Sequence, residues 1–235
     1  MRATESENGG GAVTKQLFVQ AMGKFLAGLV LTALLLFLPA GTLRYRGGWL
    51  LIALLFLPMF LAGLVMMVRK PELLRKRLNA REREDEQKTV VALSGLMFAA
   101  AFIAAGLNHR FGWLTVPGWL VRTASVLFLA AYLMYAEVLR ENEYLSRTVE
   151  VRDGQKVVDT GLYGVIRHPM YTATLVLFLS MGPVLGSPVS FIILLGYIPI
   201  IVKRIRNEER VLVRELEGYA EYRNRVRYRL IPFLW

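Results

Sequence analysis

A cation, an imidazole and two phenols stand within one short polar stretch, residues 159–172: Arg167-His168-Pro169, with Tyr163 before it and Tyr171 after it. Further along, Arg204 and Glu208 are four residues apart. On a helix, that spacing puts a positive and a negative charge on one face, a turn apart. Together these groups can hold anions and hydroxyls, and His168 is the one obvious base. The chain has no cysteine, which excludes disulfides, thiolate metal sites and a cysteine nucleophile. Its two histidines are far apart in sequence, so a histidine-rich metal centre is not expected. Taken singly, each group has a plainer reading: His168 caps a loop through a backbone carbonyl, the tyrosines anchor at a membrane interface, and Arg204 and Glu208 form a weak surface ion pair. Whether they do chemistry depends on whether the chain brings the two stretches together.

The elements that must position them are apolar. Of 235 residues, 55% are hydrophobic, in long runs of Leu, Ala, Val and Phe that exceed what a soluble core of this size needs, which marks an integral membrane protein. Residues 1–16 are polar, contain Gly9-Gly10-Gly11 and lack the pattern of a secretory signal, so they read as a disordered tail. Four spans are expected within residues 17–139: Leu17 to Leu38, closed by Pro39-Ala40-Gly41; Trp49 to Val68; Val90 to Leu107; and Trp119 to Leu139. Between the second and third, the mixed-charge segment 69–89 carries Leu73, Leu74 and Leu78 at helical spacing and reads as an amphipathic helix on the membrane surface.

The charges orient these spans. Stretches 1–16, 69–89, 140–170 and 203–235 hold 2, 8, 5 and 9 of the 29 Lys and Arg, which assigns them and both termini to the cytoplasm. The formal net charge of +11 is therefore a topology signal first, and nucleic acid is not an expected partner. Residues 171–202 are too long for one span and too short for two joined by a loop. Their middle, Met181 to Pro188, is dense in helix breakers. A helical hairpin follows, each arm about 15 residues or about 22 Å. Both ends of a hairpin return to one surface, so residues 167–171 meet residues 203–209 there. Before it, Gly161 and Gly164 permit sharp turns and Pro169 opens the first arm.

With the loop, hairpin and Glu-Glu pair in place, the order Gly161-x-Tyr163, Arg167-His168-Pro169-x-Tyr171, apolar hairpin, Glu208-Glu209-x-x-Leu212, Tyr219-x-x-Tyr222 and Arg225-Val226 before Pro232 resembles the isoprenylcysteine carboxyl methyltransferase family, with its phospholipid methyltransferase relatives. The resemblance covers roughly residues 140–235. It implies an all-α polytopic membrane protein of four spans plus a helical hairpin, with a cytoplasmic cofactor pocket between the loop before the hairpin and the C-terminal segment. It also implies S-adenosylmethionine as cofactor, contacted by Gln155, Lys156, Val157, Val158, Tyr163, His168, Pro169, Met170, Tyr171 and Glu208. Arg204 matches the position that meets the substrate carboxylate. The expected partners are the bilayer and a lipophilic or lipidated acceptor, with no metal.

Residue chemistry agrees with that ligand. Its carboxylate suits a cationic or imidazole donor, its ribose hydroxyls suit Glu208, and its sulfonium suits aromatic faces. A carboxylate acceptor is already ionised at pH 7 and needs no general base. Three other readings stand beside this one: N-methylation of a phospholipid or amine, a sterol-type membrane reductase using NADPH, and a non-catalytic lipid-binding protein.

Overall fold

The computed structural model describes residues 5–79, 85–142, 144–145, 151 and 154–235, and among these the regular structure is helical throughout. The chain runs α1 (Glu5–Ala40), α2 (Arg46–Arg69), α3 (Pro71–Asn79), α4 (Asp85–Phe111) and α5 (Gly118–Glu141). A 3₁₀ turn (Gly161–Gly164) precedes α6 (Pro169–Val184), α7 (Pro188–Leu194), α8 (Tyr197–Glu215) and α9 (Tyr219–Arg225). Five segments are long and apolar enough to cross a bilayer: Lys15–Ala40, Arg46–Arg69, Lys88–Phe111, Gly118–Glu141 and Pro188–Glu215; the shorter Pro169–Val184 completes the hairpin. Leu26, Val30, Leu57, Val65, Leu96 and Leu133 are all exposed, as a lipid-facing surface requires and a water-facing one does not tolerate in such numbers. The protein is a multi-pass membrane protein.

Two expectations are corrected. Helix α1 begins at Glu5, so residues 5–16, expected as a disordered tail, form its first turns; residues 1–4 lie outside the described residues. Once an apolar run has nucleated a helix, each added residue fixes one residue for one hydrogen bond, and even Gly9-Gly10-Gly11 is carried along. The second arm of the hairpin is not one helix of about 15 residues ending near 202. It is α7, a break at Gly196, and then α8, which continues to Glu215. Pro199 lacks the N–H that would bond the Leu195 carbonyl, which instead accepts from Ile198 at 3.0 Å. The helix therefore restarts here.

The expected surface helix in 69–89 is present as α3, joined to the first turns of α4, with residues 80–84 outside the described set. Leu74 is buried, and the Lys24 ammonium donates to the Leu78 carbonyl, which ties α3 to α1.

The core lies where α1, α2, α4 and α5 meet the hairpin, around the fully buried Leu36, Leu51, Phe128, Leu185, Leu194, Ile201 and Ile205. α4 packs on α1 closely enough that a Cβ on Gly106 would stand 2.5 Å from the Leu36 carbonyl oxygen. Only glycine allows that approach. The hairpin tip is fixed by Tyr45, whose hydroxyl donates to the Leu185 carbonyl at 2.6 Å. α6 packs along α5, so the loop between them is held at both ends.

Candidate active site

That loop begins where α5 ends. Gly161 has φ +50°, and a Cβ there would lie 1.7 Å from Glu141 Oε1. The backbone conformation favours glycine, and a larger residue would also displace the Glu141 carboxylate. Glu141 Oε2 accepts the Leu162 N–H at 3.1 Å, which holds the 3₁₀ turn against the end of α5. Tyr163 is then pinned from two sides: Asn142 Nδ2 donates to its hydroxyl at 3.0 Å, and the Tyr222 hydroxyl donates to its carbonyl at 2.8 Å.

The next stretch pairs with the C-terminal segment. The N–H groups of Arg167 and His168 each donate at 2.9 Å, to the carbonyls of Tyr228 and Arg229. Pro169 opens α6, and the His168 carbonyl accepts from Tyr171 and Thr172, so the histidine backbone caps the helix. Its ring does something else. His168 Nε2 lies 3.2 Å from Glu209 Oε1, the oxygen that also accepts Arg167 Nε at 2.8 Å. Glu209 Oε2 accepts Arg229 Nε at 2.9 Å. Arg167 further donates to the carbonyls of Val226 and Arg227, at 2.7 and 2.9 Å. A single buried carboxylate on α8 thus ties together the loop and the C-terminal segment, with its charge and lone pairs satisfied.

The neighbouring glutamate faces the other way. Glu208 accepts from the Tyr171 hydroxyl, and that hydroxyl accepts Arg204 Nε at 3.0 Å. Arg204 and Glu208 share a helix face, as their spacing requires, with Tyr171 bridging them.

These groups line one pocket between the loop, the start of α6, α8 and α9. Its walls include ten of the eleven residues singled out from sequence: Gln155, Lys156, Val157, Val158, Tyr163, His168, Met170, Tyr171, Arg204 and Glu208. Pro169 is the exception. It is fully buried and starts α6 directly after His168. The pocket also takes in Asn142, Tyr144 and Leu145 after α5, and Leu212, Leu216, Tyr219 and Tyr222 from the C-terminal side. Tyr219 and Tyr222 were visible as a motif pair. Asn142 carried no sequence signal.

Burial raises the phenols of Tyr163, Tyr219 and Tyr222 above their ordinary value, so they remain neutral donors at physiological pH. The Tyr219 hydroxyl is buried and has no hydrogen-bond partner among the described residues. An orphaned donor on a pocket wall costs stability unless a ligand completes it. The described residues include no cluster of His, Asp and Glu able to hold a metal ion. The residue types in the pocket suit an organic ligand: Lys156 and His168 for an anionic end, Glu208 for hydroxyls, and tyrosine faces for a planar or cationic part.

Residues 122–214, from α5 to the end of α8, match the family described as isoprenylcysteine carboxyl methyltransferase (ICMT). Among solved structures, the chain is similar to the eukaryotic intramembrane Ras methyltransferase ICMT (isoprenylcysteine carboxyl methyltransferase), with a TM-score of 0.55 and 17% identity over 89% of this chain and 75% of that one. At that identity the likeness is one of fold. No match is found among curated proteins.

Proposed function

We propose, from the match of residues 122–214 to the isoprenylcysteine carboxyl methyltransferase family, that the chain is a membrane methyltransferase of that family whose pocket binds S-adenosylmethionine and directs the methyl group to a carboxylate of the isoprenylcysteine type. The observation that carries this reading is the convergence of Arg204, Tyr171 and Glu208 in the pocket that also holds Gln155–Val158 and His168. Two stretches separated by a hairpin meet in a set of groups complementary to both a nucleoside and a carboxylate.

The residues present fit the cofactor. Glu208 would accept from ribose hydroxyls, Lys156 and His168 would hold the amino-acid carboxylate, and Tyr163 and Tyr171 would offer aromatic faces to the sulfonium. The orphaned Tyr219 hydroxyl gains a partner in a nucleoside that offers many acceptors. Bound S-adenosylmethionine supplies a methyl group on a sulfonium, already activated for displacement.

What the protein supplies is alignment and dryness. Arg204 donates its Nε to the Tyr171 hydroxyl, which fixes the guanidinium on the pocket wall, where its charge would orient an acceptor carboxylate. That acceptor is ionised at pH 7, since its unperturbed pKa is about 3.5, and it needs no base. His168 is accordingly used as a donor and helix cap, with its ring held by Glu209. The Lys and Arg distribution supports a pocket at the cytoplasmic surface, where a lipidated acceptor would reach it from the bilayer.

The test is calorimetric titration of the detergent-purified protein with S-adenosylhomocysteine and, separately, NADPH. Micromolar binding of the first alone is expected. Binding of NADPH alone would overturn the reading in favour of a reductase. The methyl acceptor's class is then read from the pH profile: transfer to a carboxylate is flat between about pH 6 and 8, whereas an amine must lose a proton and its rate rises.

A further inference from the structure

On the side of α8 away from the pocket, Pro199, Val202, Lys203, Arg206 and Arg210 recur at three- and four-residue spacing and form one wall of a second groove, with Arg223 of α9 opposite. Residues 204, 208 and 212 face the first pocket, so the two sites occupy different faces of one helix. Lys203, Arg206, Arg210 and Arg223 are exposed. The carboxylate that lines the groove, Glu209, is already held by Arg167, His168 and Arg229, so it does not neutralise these cations.

The groove changes character along its length. Pro199 and Val202 belong to the apolar first turns of α8, within the segment Pro188–Glu215 that is able to cross the bilayer, and the cations follow on the next turns. An occupant complementary to both parts is apolar below and anionic above. We propose that this groove is a binding site for an anionic phospholipid, with the headgroup phosphate held by Lys203, Arg206 and Arg223 and the acyl chains lying against Pro199 and Val202. A cationic pocket at a helix end selects such headgroups from a mixed leaflet, and long Lys and Arg side chains reach the phosphate level from a helix that is still partly immersed. The site is independent of the methyl-transfer pocket and of its ligand.

The test uses the full-length protein in detergent, with native mass spectrometry reading bound phosphatidylglycerol against phosphatidylcholine. Wild type is expected to retain phosphatidylglycerol preferentially, and the pair Lys203→Gln with Arg206→Gln to lose that preference on the order of tenfold. A control pair, Arg214→Gln with Arg227→Gln, removes the same charge outside the groove and is expected to keep the preference. Unchanged elution and melting temperature establish that the variants are folded. The proposal is overturned by equal retention of the two lipids in wild type, by an undiminished preference in the groove variant, or by an equal loss in the control. Displacement of phosphatidylglycerol by inorganic phosphate at matched concentration would reassign the groove to a free anion.

Discussion

Arg167 and Glu209 meet at 2.8 Å with side chains only 4% and 5% exposed, joining the loop before the hairpin to the middle of α8. Arg167 lines the pocket and Glu209 lines the groove on the other side of α8, so the pair forms the partition between the two. Breaking it strands buried charge: without Glu209, Arg167 and Arg229 both lose their carboxylate, and His168 loses its ring partner. Glu209→Ala is expected to destabilise by about 3–5 kcal/mol, the usual cost of removing one partner from a buried pair. A thermal melt checks this, and a melting temperature unchanged from wild type would show that the pair does not hold the fold together.

Glu208, one residue earlier, is expected to behave in the opposite way. It is partly exposed to the pocket, and its partner Tyr171 keeps Arg204 as a neighbour when the carboxylate is lost. Glu208→Ala should leave the melting temperature nearly unchanged while weakening S-adenosylhomocysteine binding by about 1.5–3 kcal/mol, the range for a hydrogen bond to a charged group. That is roughly 10- to 150-fold in Kd. Full-strength binding by this variant would remove Glu208 from the site.

The contrast between these two glutamates also marks how far the sequence could be read. Arg167, His168 and Glu208 stand out because charged groups are rare in so apolar a chain, and the hairpin's length alone brings their stretches to one surface. Nothing in the spacing says which of Glu208 and Glu209 faces the pocket, because on α8 that depends on where the loop and the C-terminal segment pack. Asn142 was invisible for a similar reason: its contact with Tyr163 exists only because Glu141, next to it, holds Leu162 at the end of α5. The break at Gly196 was legible in principle, since Pro199 cannot serve the Leu195 carbonyl. It was masked by the apolar run on both sides.

Tyr219 offers a test in which removing an atom is expected to help the empty protein. Its hydroxyl is buried without a partner, a situation that costs about 1–3 kcal/mol. Tyr219→Phe should therefore melt at the same temperature as wild type or higher. If a bound nucleoside completes the hydroxyl, the same variant loses about 0.5–1.5 kcal/mol of S-adenosylhomocysteine affinity, roughly two- to twelvefold. A melting temperature that falls, with affinity intact, would mean that the hydroxyl serves the fold and not the ligand.

Three of the buried phenols at the pocket, Tyr163, Tyr219 and Tyr222, are expected to make the stability of the fold fall at alkaline pH. Burial is the largest cause of the upward shift at Tyr163, Tyr219 and Tyr222, each raised from an ordinary value of 10.0. Above that pH the unfolded chain releases these protons while the folded chain keeps them. The unfolded state then binds fewer protons, so stability falls as pH rises. The contribution is fully present below about pH 10 and is lost above it, by up to about 1.4 kcal/mol per residue for each further pH unit until the folded phenol itself ionises. Lysine titration overlaps this range, so the comparison must be made against a variant. Tyr222→Phe loses its bond to the Tyr163 carbonyl and starts from a lower melting temperature, but that temperature should decline less steeply than wild type between about pH 10 and 11. Parallel declines would mean that Tyr222 ionises as readily in the folded protein as in the unfolded chain.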